Sequence, residues 1–151
     1  MSWTGVSNTV FQWACESGHT DIANFLLENS IKMKIELNTK TECGLTAFQL
    51  ACKNGHSRIA ELLIQNSSKL HIQLNTKNNC GAILAKKNNH LEVVEIIIKT
   101  IIEMKTNQVV AWNFTAIFLW ACKNGLFKIV EVLVKNSDQL NIELNAKGFI
   151  F

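Results

Sequence analysis

The chain has 151 residues, enough for one domain with a sizeable core. Its 48% hydrophobic content excludes a disordered chain, and a net charge of +3 is too mild to require nucleic acid or a membrane surface. Proline is absent and glycine numbers only 7, so there is no Pro- or Gly-rich linker to divide the chain.

In chain order, Met1 to Asn8 is a poor hairpin remnant, and the first ordered motif is Thr9-Val10-Phe11-Gln12-Trp13-Ala14-Cys15-Glu16-Ser17-Gly18-His19. It returns as Thr46-Ala47-Phe48-Gln49-Leu50-Ala51-Cys52-Lys53-Asn54-Gly55-His56, and in shorter form as Phe118 to Gly125. A decayed copy is Ala85-Lys86-Lys87-Asn88-Asn89-His90. The anchor alanines Ala14, Ala51, Ala85 and Ala121 stand 37, 34 and 36 residues apart. Such a period marks units that bury their apolar faces only against their neighbours.

The second unit is the cleanest. Thr46 is a good N-cap for a helix from Ala47 to about Asn54, which Gly55 ends. Ser57 then caps a second helix over about Arg58 to Gln65, where Ile59, Leu62 and Leu63 form an amphipathic stripe. Asn66 to Lys69 reads as a polar connection, and Leu70 to Leu74 as an extended arm leading into a turn-rich stretch. A parallel α/β sheet does not fit, because the first helix is too short and the arm too polar for a buried strand.

In the third unit Gly81 reaches Ala85 in 4 steps, where Gly44 reaches Ala51 in 7. The spacing predicts a first helix short of nearly one turn. Asn89 takes the place of the turn glycine. The second helix is predicted to run to about Met104, with an irregular connection after it. In the fourth unit Phe114 or Thr115 sits where the hairpin glycine belongs.

These units resemble the ankyrin repeat. Thr9 to Gln12 and Thr46 to Gln49 hold its opening motif, Gly18-His19 and Gly55-His56 its turn, and Leu26-Leu27, Leu62-Leu63 and Val132-Leu133 its second helix. Leu37-Asn38, Leu74-Asn75 and Leu144-Asn145 hold the step into the hairpin. The resemblance implies an all-α, ankyrin-type helix-turn-helix solenoid with short hairpin-like loops, of about four stacked repeats. The units are 7–43, 44–80, 81–113 and 114–147, with a partial fifth at the C-terminal end. Their structural motif is Thr9, Gln12, Gly18, His19, Thr46, Gln49, Gly55, His56, His90 and Gly125. The period exceeds the family's 33, and the extra residues follow the second helix. The family's motif proline is missing throughout, and its histidine is replaced by Gln12 and Gln49, whose amides can still bridge backbone groups of adjacent repeats.

Chemistry is sparse. The repeated His19, His56 and His90 sit at one turn of successive units, which is how a structural residue recurs. No phosphate loop, nucleophile elbow or metalloprotease motif occurs. The five cysteines, Cys15, Cys52 and Cys122 at one repeat position and Cys43 and Cys80 at another, form neither a disulfide framework nor a zinc spacing. Their odd number, with no secretory signal, suggests a reducing, intracellular and cytoplasmic setting. The apolar run Val109 to Cys122 is too short to cross a bilayer. No enzyme, metal or cofactor is expected. Trp13 and Trp120 align with Leu50 and are expected in the core, and Trp112 is expected to cover an irregular junction.

By resemblance, the concave binding side is made of hairpin tips and the exposed sides of first helices. Lys40, Lys77 and Lys147 map to hairpins, and Lys53, Lys86, Lys87 and Lys123 to ends of first helices, with Glu16 interrupting the stripe. Glu28, Glu61, Glu92, Glu95 and Glu131 fall on second helices among Arg58, Lys99, Lys128 and Lys135. Two readings fit this pattern. The lysines are a solvated feature copied with the repeat, or they recognise an acidic segment of a partner protein. Three functions follow: a non-catalytic protein-interaction scaffold; an anion- or nucleic-acid-binding surface using the same lysines; or a non-autonomous piece of a longer array. Phe149-Ile150-Phe151 either folds back, continues into further repeats, or self-associates.

Overall fold

The computed structural model describes residues 8–75, 81–105 and 112–148. Among these residues there are eight α-helices: α1 (Val10–Ser17), α2 (Thr20–Glu28), α3 (Ala47–Lys53), α4 (Ser57–Leu70), α5 (Gly81–Lys87), α6 (Leu91–Met104), α7 (Phe114–Lys123) and α8 (Phe127–Lys135). Consecutive helices pair. The first helices α1, α3, α5 and α7 pack one on the next, and α2, α4 and α6 do the same beside them. The chain is an all-α stack of about four helix pairs.

Local chemistry sets the helix starts. Thr9 Oγ1 accepts the Gln12 N–H at 3.1 Å, and Gln12 Oε1 accepts the Thr9 N–H at 2.8 Å. Thr46 and Gln49 repeat this at 3.1 and 2.9 Å. Each reciprocal box satisfies two donors that a helix start otherwise leaves open, and such a cap stabilises by about 0.5–2 kcal/mol. The second helices start differently. His19, His56, His90 and Leu126 hold the N-cap position without a side-chain cap bond. Ser57, expected as a cap, instead donates its hydroxyl to Glu92 Oε1 at 3.0 Å.

α4 runs five residues past its expected end, through the stretch read as a polar connection. Asn66 Nδ2 donates to the Leu62 carbonyl at 2.8 Å and Ser67 Oγ to the Ile64 carbonyl at 2.7 Å. These side chains bond back to the previous turn, so they stay compatible with helix. His71 then closes the segment in the left-handed conformation, φ 54°. Lys34, Lys105 and Asn141 do the same in the other units, at φ 54°, 51° and 55°. Their spacing reproduces that of the anchor alanines. The N–H groups of Ile35, Ile72 and Ile142 donate to the carbonyls of Ser30, Ser67 and Ser137 at 2.9, 2.9 and 2.8 Å. The residues beyond the usual repeat length therefore build an extra turn with a left-handed close, a common way to end a helix.

The third unit also departs from expectation. α5 has the same seven-residue length as α3, and Gly81 is its first helical residue, the counterpart of Ala47 rather than of the hairpin Gly44. The shortening therefore falls before the helix, and Gly81 lies directly under Phe48: a methyl group there would overlap Phe48 Cε1 and sit 3.0 Å from Cys52 Sγ. α6 ends at Met104, as its sequence suggests. In the fourth unit Phe114 opens α7 and is buried, so the helix takes in what is a turn elsewhere. The irregular connection predicted after α6, over 106–111, lies outside the described residues.

One continuous core runs along the stack, with Phe11, Phe48, Phe114, Ile59, Leu63, Ile97, Ile117 and Leu133 essentially inaccessible. Trp112 is buried, edge-on to Phe48 at 5.5 Å and stacked with Phe114 at 6.3 Å between centroids. Trp120 is buried as well, but Trp13 is not: it is 53% exposed. Its counterpart Leu50 is covered by the preceding helix pair, and among the described residues nothing stands in that place for Trp13.

Candidate partner-binding surface

Three kinds of contact join the units and so fix what the surface can present. At the turns, His56 Nε2 lies 2.8 Å from the Glu16 carbonyl, which can only accept, so the ring is protonated at Nε2. The same ring lies on Gly18, where a methyl group would be 2.6 Å from Cε1. His90 lies on Gly55 in the same way, with a clearance of 2.7 Å to Nδ1. Both glycines have positive φ, 80° and 82°, so the residue that closes the turn also makes room for the next unit's ring. The next joint has lost both partners: Asn89, at φ 61°, stands for the glycine and Leu126 for the histidine.

Along the arms, Asn38 Nδ2 donates to the His71 carbonyl at 2.9 Å, and Asn38 Oδ1 accepts the Gln73 N–H at 2.7 Å. The leucine–asparagine step marks this residue in the sequence, but its partners lie on another unit and have no local signature. Beneath the hairpin, Gln12 Nε2 donates to the Thr39 carbonyl, and Thr46 Oγ1 donates to the Leu74 carbonyl at 2.8 Å.

The lysines occupy distinct places. Lys40 is exposed before the Thr41–Gly44 turn, Lys53 is exposed at the end of α3, and Lys147 is exposed in the segment after α8. Lys77 lies outside the described residues. Lys86 and Lys87 end α5, and Lys123 ends α7. Partial burial holds the Lys86 ammonium below the usual lysine range, and the charges of Lys87 and Lys123 push it further down. The third and fourth units therefore bring Lys86 within the field of Lys87 and Lys123. Among the described residues the ion pair within 4.0 Å is Lys135 with Glu131, on α8 at 3.6 Å. Glu16 accepts from Asn8 Nδ2 at 2.8 Å.

Two concavities lie elsewhere. One, of about 310 Å³, opens between α6 and α8, with Ile98, Ile129 and Val132 in its lining and Glu95, Lys99 and Lys128 charged around them. Another, of about 510 Å³, is lined in part by Ser67, Ser68, His71 and Trp112. There the Ser67 hydroxyl is committed to the Ile64 carbonyl, a structural bond. Cys15 and Cys52 are buried, and burial pushes the Cys15 thiol up to about 12, whereas Cys43 and Cys122 are exposed. Among the described residues no helix is long and apolar enough to cross a membrane, and no group of three or more His, Cys, Asp or Glu side chains is placed to hold a metal ion.

Residues 11–64 match a family model described as ankyrin repeats (many copies). No curated protein matches the chain.

Proposed function

We propose that the chain, whose residues 11–64 match ankyrin repeats, generally protein-binding modules, is a non-catalytic interaction scaffold that takes an acidic segment of a partner protein. The observation that carries this reading is Lys86, partly buried at the end of α5 and set in the field of its neighbour Lys87 and of Lys123 at the end of α7. Like charges collected against their own repulsion are a cost that an anionic ligand relieves. By resemblance to the family, Lys40, Lys53 and Lys147 extend the same side and lengthen the field that steers encounter. The protein reading is favoured over a nucleic-acid one because Glu16 breaks the stripe and no aromatic residues alternate with the lysines in the manner of stacking platforms.

The test is fluorescence anisotropy with acidic peptides and with generic single-stranded oligonucleotides, against the wild type and the Lys86→Glu/Lys123→Glu variant. The reading predicts peptide binding that weakens at least tenfold in the variant while helical circular dichroism is unchanged. It also predicts that bound peptide moves the Lys86 titration, followed by NMR, up toward the ordinary lysine value. Oligonucleotide binding with steep salt dependence and no peptide binding supports the nucleic-acid alternative. Equal peptide affinity in both proteins overturns the lysine site.

A further inference from the structure

Two joints inside the stack are made by one repeated pattern, and among the described residues each end of the stack presents one half of it without the other. At the joints between the first and second and the second and third units, the later unit brings a histidine, His56 or His90, onto the earlier unit's glycine, Gly18 or Gly55. His19 occupies the same N-cap position at the start of α2, with the same backbone conformation, and its side chain is exposed. Gly125 occupies the glycine position after α7, with φ 68° and open space where the ring would lie.

The apolar residues around these two follow suit. In the second unit Ala47, Leu50 and Ile59 face the preceding pair and are at most 6% exposed, whereas their counterparts Val10, Trp13 and Ile22 are 67%, 53% and 52% exposed. At the other end Leu27, Ile64 and Ile98 are at most 3% exposed, and their counterpart Val134 is 43% exposed. Cys15 and Cys52 are buried under the next unit, and Cys122 is open.

We propose that two copies of this chain stack head to tail, the α1–α2 end of one on the α7–α8 end of another, with His19 seated on Gly125. The contact continues the interface already built within the chain. It is apolar at the centre, with a ring-on-glycine contact at the turn. Because the two surfaces differ, the association is heterologous and open-ended: each added copy offers a fresh end. This surface is separate from the lysines at the ends of α5 and α7, apart from Lys123 at its edge.

Sedimentation velocity on the full chain tests this with two single-ended variants. Gly125→Asn keeps a side chain that tolerates the local conformation, since Asn89 adopts φ 61° in the equivalent turn, but its Cβ blocks the ring. Trp13→Glu spoils the other end at an exposed position. The wild type is expected to exceed 17.0 kDa and to grow with concentration, while each variant alone stays at the monomer mass with unchanged circular dichroism. An equimolar mixture of the two variants is expected to give a dimer and nothing larger, because only one good pair of ends remains. His19→Ala is expected to weaken wild-type association without changing the fold. A wild type that remains monomeric at millimolar concentration overturns the proposal. So does a mixture that stays monomeric, or a Gly125→Asn chain that still associates alone.

Discussion

At Gly81 two residue-level rules oppose each other. Alanine favours a helix over glycine by about 1 kcal/mol, and Gly81 is helical. An added methyl group, however, overlaps a Phe48 ring that is itself fully buried and cannot swing aside freely. Forcing extra volume into such a core costs about 1–3 kcal/mol. Overlap wins, so Gly81→Ala is expected to destabilise by about 1 kcal/mol, read as a lower urea midpoint at constant m-value. The sequence makes Gly81 look like a turn residue, because glycine at a unit boundary usually is one. What identifies it as a packing glycine is Phe48, a residue of the preceding unit. The Gly-His turns were legible for the opposite reason: the left-handed need is local, and it recurs at a fixed spacing.

Among the elements, the second helices and their closing turns depart most from what local composition suggests. Asn66, Ser67 and Ser68 are loop formers by propensity, yet the first two bond back to their own helix and prolong it. Only the apolar partners Leu70 and Ile72, drawn to the core, mark the true end. The left-handed closing position is occupied by Lys34, His71, Lys105 and Asn141, none of them glycine. A non-glycine residue pays about 1–2 kcal/mol for that conformation, against roughly 0.5–1 kcal/mol of extra chain entropy that glycine loses on folding. His71→Gly is therefore expected to stabilise the domain by about 0.5–1 kcal/mol, seen as a higher thermal midpoint. His71 is exposed and its side chain makes no bond that the substitution would remove among those described. A lower midpoint would mean that the exposed ring contributes more than its backbone costs.

Across the whole molecule, the joints are unequal. The first two carry the histidine-on-glycine contact, while the third has Asn89 and Leu126 in its place. At that same joint α6 and α8 leave a groove between them, and Lys86 meets the charge of Lys123. Among the contacts there are Trp112 stacked with Phe114 in the core and Gln139 Nε2 donating to the Ile102 carbonyl at 2.9 Å. In a linear array, stability is the sum of unit and joint terms, so opening concentrates at the poorest joint. Hydrogen exchange is expected to show α7 and α8 less protected than α3 and α4. Asn89→Gly with Leu126→His is expected to narrow that gap, and equal protection in the wild type would refute the ranking. The repeat order and the helix pairing could be read from periodicity alone. The quality of each joint could not, because it depends on residues more than 30 positions apart meeting in space.

If the third joint opens first, as that experiment tests, it is where the stack flexes. The first three helix pairs then act as one lever and the last as another, with Lys86 and Lys87 on one arm and Lys123 on the other. On the reading proposed above, a ligand that spans all three lysines would set the angle between the arms, and the curvature of the array would follow the length of that ligand.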